Sequence, residues 1–108
     1  MLYQKILTDE MPYQVRVGSL RRFEEHRHVE VEFHYCIRGD LELTVDKKNC
    51  LIREGELLVI GPMVAHAVPA DGDADQQVLT AIVGPSLLRR HFARFSTLRT
   101  SVCDLTAS

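Results

Sequence analysis

The chain has 108 residues, of which 45% are hydrophobic and 26% charged, and its formal net charge is −2 at pH 7. This size and balance predict one globular domain with a core of its own, and the near-neutral charge argues against a nucleic-acid-binding surface on the chain itself. No apolar run reaches the roughly 18–20 residues of a membrane span, and the N-terminus lacks the apolar stretch of a signal peptide, so we expect a cytoplasmic protein.

Short strands separated by turns are predicted for most of the chain. Residues 1–12 read as an N-terminal strand or arm, and residues 13–83 form the predicted barrel, with alternation of apolar and polar side chains over 13–23, 28–38 and 41–46 and a fully apolar run at 57–60. The second range divides into about seven or eight strands, with turns roughly every 8–12 residues. The predicted turns lie at residues 39–40, 47–49, 54–56 and 61–62. This pattern is typical of an antiparallel sandwich or small barrel.

A helical segment is predicted over residues 84–108. Ser86 can cap its N-terminus, and Leu88, Phe92 and Phe95 recur at helical spacing to form one apolar stripe. The segment ends without a clear helix terminator, so we expect this sequence to be part of a longer chain. In a monomer the apolar stripe and an apolar strand face would be exposed to water, so we expect a homodimer that buries them.

The segment from residue 26 to residue 37 separates polar and apolar side chains by strand alternation. In an ordinary strand the polar face would turn to solvent, and such a face is rich in Lys, Thr and Ser. Here half of the polar positions are histidines, which favours a polar face turned into a ligand cavity. The polar positions are His26, His28, Glu30, Glu32, His34 and Cys36.

Two kinds of site fit these residues. His26, His28 and Glu32, joined by His66 from later in the chain, offer imidazole and carboxylate ligands for a divalent metal such as Zn, Fe, Mn or Ni. The same groups could instead hydrogen-bond a sugar or hold an organic acid without a metal. The residues alone leave both alternatives open.

Two motifs in this sequence resemble those of a known family. The spacing His26-x-His28-x3-Glu32-x6-Gly39 resembles the first motif of the cupin family, and His66 stands where the second motif has its fourth ligand. The resemblance implies the cupin double-stranded β-helix, an antiparallel jelly-roll barrel, followed here by a short C-terminal α-helix. It also implies that these two motifs supply the metal ligands.

The second motif departs from the family pattern in its turn. Gly55 and the glycine at position 61 are spaced as in that motif. However, the family usually has proline where Gly61 stands and glycine where Met63 stands. The resemblance therefore predicts that the turn before His66 has its own geometry.

Within the cupins, the chain is most similar to the N-terminal effector-binding domain of AraC-type transcription regulators. The similarity rests on the stretch from His28 to His66 and on an ending that leads into an amphipathic helix. It implies a dimeric, non-enzymatic sensor of a sugar or similar polar metabolite, such as an organic acid. The effector contacts would come from the polar face, including Glu30 and His34, and DNA would be bound only by a helix-turn-helix region absent from this chain.

Two other interpretations remain open at this stage. One is a stand-alone metal-dependent cupin enzyme of the dioxygenase or isomerase type, with a site of three histidines and one glutamate. In that case Glu30 or His34 could act as an acid or a base. The other is a binding or storage cupin without catalysis. In the sensor interpretation no residue is catalytic.

Overall fold

The computed structural model describes residues 2–3 and 13–91 of the chain. Within this part of the chain, nine strands precede one helix. They are β1 (Leu2–Tyr3), β2 (Tyr13–Gly18), β3 (Phe23–Arg27), β4 (Val31–Arg38), β5 (Leu41–Val45), β6 (Lys48–Ile52), β7 (Leu57–Ile60), β8 (His66–Val68), β9 (Gln77–Val83) and α1 (Pro85–His91).

The strands form two sheets. A five-stranded sheet has the order β1-β3-β8-β5-β6, and a four-stranded sheet has the order β2-β9-β4-β7. Every pairing is antiparallel except that of β1 with β3. The predicted all-β antiparallel barrel with a short helix after it is therefore confirmed. The helical structure of the described residues contains nothing long and apolar enough to cross a bilayer.

The chain passes from one sheet to the other between β3 and β4, which corrects the sequence interpretation. The alternation from residue 26 onward predicted that His26, His28 and Glu32 lie on one face of one strand. Instead, β3 ends at Arg27 in the five-stranded sheet, and β4 begins at Val31 in the four-stranded sheet. Side-chain alternation continues through the crossing, so it could not reveal that the strand was interrupted. The candidate ligands therefore converge from two sheets.

The buried face of β4 is its polar face. Glu32, His34 and Cys36 are buried, whereas Tyr35 and Ile37 are exposed. This is the reversal that the histidine-rich pattern predicted. Around the buried polar groups, apolar side chains from both sheets pack together, and removing their surface from water stabilises the barrel. These include Leu41, Leu43, Ile52, Leu58, Ile60, Val68 and Val78, joined by Leu20 from the segment between β2 and β3.

Two turns differ from the sequence interpretation. The turn between β5 and β6 lies at Asp46 and Lys47, one residue earlier than predicted, and both residues have positive φ (50° and 65°). This is the left-handed backbone of a two-residue type I′ hairpin. The helix starts at Pro85, so Ser86 is not its cap; proline suits a first helical position because its missing N–H would have no partner there.

The outer side of the four-stranded sheet exposes apolar side chains. Tyr13, Val15 and Val17 on the edge strand β2 are 55–57% exposed, and Tyr35 and Leu57 are about 40% exposed. The predicted homodimer would cover this surface, and it stays a prediction. So does the division into arm, barrel and C-terminal segment, because residues 4–12 and 92–108, with Phe92 and Phe95, lie outside the described residues.

Candidate metal centre

Three histidines converge inside the barrel. His26 lies on β3 and pairs directly with His66, the first residue of β8, and His28 follows the end of β3. Their nearest ring nitrogens all lie within 4.8 Å of one another. His28 and His66 are each 1% exposed and His26 is 8% exposed. The cluster is therefore shielded from bulk water by the surrounding sheets.

Each of the three rings is held by a backbone carbonyl two residues away. A carbonyl oxygen only accepts hydrogen bonds, so the Nδ1 that faces it carries the proton. In a neutral ring this leaves a lone pair on Nε2, the atom available to a metal. The Nδ1–H groups donate from His26 to Glu24 (2.9 Å), from His28 to Glu30 (3.1 Å) and from His66 to Val64 (2.9 Å).

The carboxylate of Glu32 lies against this cluster. Its Oε1 is 3.2 Å from Nε2 of His28, and its Oε2 is 3.6 Å from Nε2 of His66. The Nε2 of His66 is buried and has no hydrogen-bond partner. Lone pairs that face a carboxylate repel it unless a proton or a metal cation lies between them. The arrangement therefore suits a bound cation.

A divalent metal fits this donor set. Three neutral imidazoles and one carboxylate are ligands that Zn, Fe, Mn and Ni accept. Two atoms that bind one metal at about 2.0–2.1 Å stand roughly 3.0–3.4 Å apart, and His28 Nε2 and Glu32 Oε1 have that separation. His26, His28 and His66 can thus hold a divalent metal, with Glu32 beside them as the anionic ligand.

Glu32 is also bonded to a fourth histidine. Nε2–H of His34 donates to Oε2 of Glu32 at 2.5 Å, and Nδ1 of His34 lies 3.1 Å from Oγ1 of Thr80. Thr80 was not identified from the sequence. A signal was present, because Thr80 is a hydroxyl residue between Val78 and Ile82 on the inward positions of an otherwise apolar strand.

Opposing effects set the ionisation of the site. For Glu32, burial alone would raise the pKa, but the contacts with the rings of His28, His34 and His66 outweigh it and hold the pKa well below its ordinary value. Burial lowers the pKa of His26, and the neighbouring histidines lower it further. For His66, burial would lower the pKa, but the contact with Glu32 outweighs it and raises the pKa. Glu32 is therefore ionised while His26 is neutral.

The remaining two predicted residues, His34 and Glu30, lie behind the residues that face the centre of the site. His34 lies behind Glu32 and contacts it rather than the three histidines. Glu30 lies behind His28, where its carbonyl holds that ring and its Oε1 is 3.6 Å from Nδ1. That Oε1 is buried without a hydrogen-bond partner.

Comparisons with known proteins agree with this architecture. Residues 14–82 match the family model of the cupin domain. Acireductone dioxygenase 2 of Arabidopsis thaliana is 28% identical over 90 residues, which cover 78% of this chain and 46% of that protein. Acireductone dioxygenase 3 of the same plant is 27% identical, with coverages of 78% and 44%. The chain thus spans about half the length of the curated relatives it matches.

Solved structures show the same fold. A cupin protein from Bacteroides fragilis superposes with a TM-score of 0.57 at 19% identity, over 77% of this chain and 85% of that one. A conserved protein of unknown function from Streptococcus pyogenes has the same TM-score and identity, over 73% and 70% of the two chains. At this identity the likeness concerns the fold alone.

The comparisons also correct a prediction. The expectation of a non-enzymatic protein is wrong, because the curated relatives are named as dioxygenases. Nothing in the matches points to an AraC-type sensor domain. That similarity rested on the stretch from His28 to His66 and on an amphipathic ending, and both belong to the fold rather than to one activity. Because the family model spans more than half of its length, the chain belongs to the cupin domain family.

Proposed function

We propose that this chain forms the metal centre of a dioxygenase-type cupin enzyme that acts on a small polar substrate. The observation that carries the proposal is the convergence of three buried imidazoles, each with a ring nitrogen within 4.8 Å of the others, next to the ionised carboxylate of Glu32. The names of the curated relatives support the reaction class. A purely structural cluster would satisfy these nitrogens with partners, yet Nε2 of His66 has none.

The protein's own contribution is to prepare the ligands. A divalent metal, when bound, would supply Lewis-acid activation of a substrate oxygen and, as iron, access to dioxygen chemistry. The backbone carbonyls keep the proton of each ring on Nδ1, so the Nε2 lone pairs need no rearrangement. Glu32 brings one negative charge, and burial strengthens its attraction for a cation by excluding water.

The substrate side of the proposal rests on the edge strand β2. Gln14 and Arg16 pair in register with Ile82 and Thr80 of β9, so alternation places them on the sheet face that carries the site. Both are exposed. A guanidinium on this face attracts anions and can bind a carboxylate or enolate oxygen pair. We therefore favour an organic acid or enediol over a neutral sugar as the small molecule.

Metal content is the first test. Protein purified without chelator and loaded separately with Zn, Fe, Mn and Ni is expected to hold about one metal ion per chain by elemental analysis. His26→Ala and His66→Ala should lose it, because each removes one of the converging nitrogens. His91→Ala is the matched control and should keep it. Failure of the parent protein to retain any of the four metals would refute the metal centre.

Oxygen consumption tests the reaction class. The iron-loaded protein, offered an acireductone as probe substrate, is expected to consume oxygen in an electrode assay, and His26→Ala should not. A set of sugars and organic acids in a thermal-shift assay on the metal-loaded protein then tests the ligand class, since a ligand that binds only the folded state raises Tm. Stabilisation by sugars alone, unchanged in Arg16→Gln, would contradict an anionic substrate.

A further inference from the structure

We propose that Thr80 and His34 form a positioning pair that holds Oε2 of Glu32 and so fixes the orientation of this carboxylate against the three-histidine cluster. The inference rests on the proposed metal-binding function, and it assigns two residues that shape this site without belonging to the cluster. Its basis is the chain of contacts from Thr80 Oγ1 to His34 Nδ1 (3.1 Å) and from His34 Nε2 to Glu32 Oε2 (2.5 Å).

The direction of these bonds follows from what each group can donate. An ionised carboxylate only accepts, so Nε2 of His34 must carry a proton toward Glu32. In a neutral ring Nδ1 is then an acceptor, and the hydroxyl of Thr80 has to be its donor. All three side chains are at most 3% exposed, so the chain of bonds is sheltered from bulk water.

His34 therefore takes the opposite tautomer to the three clustered histidines. Those rings keep their proton on Nδ1 because a carbonyl faces it. His34 keeps its proton on Nε2 because a hydroxyl, which can donate, faces its Nδ1. Replacing that hydroxyl by a methyl group would remove the donor and the reason for this tautomer.

Rigid elements hold the pair in place. His34 and Thr80 are direct partners across the β4–β9 ladder, and Glu32 lies two residues from His34 on the same face of β4. With its Oε2 held by His34, the carboxylate is kept from rotating, so Oε1 stays 3.2 Å from Nε2 of His28. Glu32 would thus offer its carboxylate to a metal in one fixed orientation, without first having to be ordered.

Three variants test the pair. Thr80→Val removes the hydroxyl with little change in shape, Thr80→Ser restores it, and Thr44→Val makes the same chemical change on β5, outside the site. We expect Thr80→Val to bind Zn²⁺ about 10–100-fold more weakly by competition titration, as found when groups that orient metal ligands are removed. Thr80→Ser should return to within about 3-fold of the parent, and Thr44→Val should match it.

A second readout does not depend on the metal. In metal-free protein, side-chain ¹⁵N spectra are expected to show His34 in the Nε2–H form in the parent and in Thr80→Ser, and a shift toward the other tautomer in Thr80→Val. An unchanged His34 spectrum or unchanged Zn²⁺ affinity in Thr80→Val would overturn the proposal. If the parent binds no metal, the proposed function fails, and the spectra still decide whether the pair exists.

Substitutions of His34 test the same pair if Thr80→Val does not fold. His34→Gln keeps a donor for Glu32 and an acceptor for Thr80, so it should retain Zn²⁺ affinity within about 5-fold, whereas His34→Leu should show the 10–100-fold loss. Equal Zn²⁺ affinity of these two variants would also overturn the positioning role.

Discussion

The backbone N–H of Met63 donates a hydrogen bond to the backbone carbonyl of His28, with 2.7 Å between the two atoms. This bond ties the turn before His66 to the segment that carries His28. Met63 makes the bond with a φ of 62°, in the left-handed region where glycine is favoured. Glycine is also the residue that the family pattern has here, so the departure seen in the sequence has a structural cost.

Replacing Met63 with glycine should stabilise the protein. A non-glycine residue in this region is strained by about 1–2 kcal/mol. Glycine would relieve this strain, but it also makes the unfolded chain more flexible, which offsets part of the gain in stability. We expect Met63→Gly to raise the free energy of unfolding by about 0.5–1 kcal/mol in urea titrations. Met63→Ala, which keeps a β-carbon, is the control. Equal stability of the two variants would show that the backbone is not strained.

The hairpin turn between β5 and β6 offers a similar test with an internal control. Lys47 has a φ of 65° in the second position of a type I′ turn, where glycine is preferred. Lys47→Gly should raise Tm, with a gain of about 0.5–1 kcal/mol. Lys48→Gly, one residue later in β6, should instead lower Tm because glycine weakens a strand. A loss of stability in both variants would argue against the turn type.

Gln76 is a buried amide whose loss should be costly. Its Oε1 accepts from the backbone N–H of Leu20 at 3.0 Å, and its Nε2 donates to the carbonyl of Asp40 at 2.6 Å. Gln76→Leu leaves both backbone groups without this partner, so we expect a loss of about 2–4 kcal/mol by chemical denaturation. Gln77→Leu, the half-buried neighbour, is the control and should change stability by less than about 1 kcal/mol. A small effect at Gln76 would mean that water replaces the amide.

The thiol of Cys36 predicts a loss of stability in base. Burial, helped by the negative charge of Asp40, raises the pKa of Cys36 to about 11, whereas an unfolded thiol ionises near about 8.5. A group with a raised folded pKa contributes stability below the unfolded pKa and loses it as the pH rises toward the folded one. The free energy of unfolding should therefore fall more steeply between pH 8 and 10.5 in the parent than in Cys36→Ala. Parallel pH profiles would contradict this assignment.

The exposed outer face of the four-stranded sheet provides a test of the predicted homodimer. Val15 on this face is 57% exposed, and a charge there would have to be buried in a dimer. We expect the parent to sediment as a dimer and Val15→Glu as a monomer in analytical ultracentrifugation. Gln14→Glu adds a charge to the other face of the same strand and should leave the dimer intact. A monomeric parent protein would contradict the predicted homodimer.

The sequence predicted the barrel because strand alternation is a local signal, and it identified the reversed face of β4 because histidines rarely cover a solvent face. It could not show that His26 and Glu32 belong to different sheets, since alternation does not report which strands pair. Thr80 and Gln76 were missed because each matters through a partner distant in sequence, His34 for one and the Leu20 and Asp40 backbone for the other.

The direct pairing of His26 with His66 joins two positions that are 40 residues apart in the chain. Contacts of such long sequence separation form late and slowly, because the intervening loop must close before they stabilise anything. The metal centre can therefore be completed only when β3 and β8 have met. Metal added during refolding should therefore not accelerate the first steps of folding. Metal bound to the completed protein should slow its unfolding.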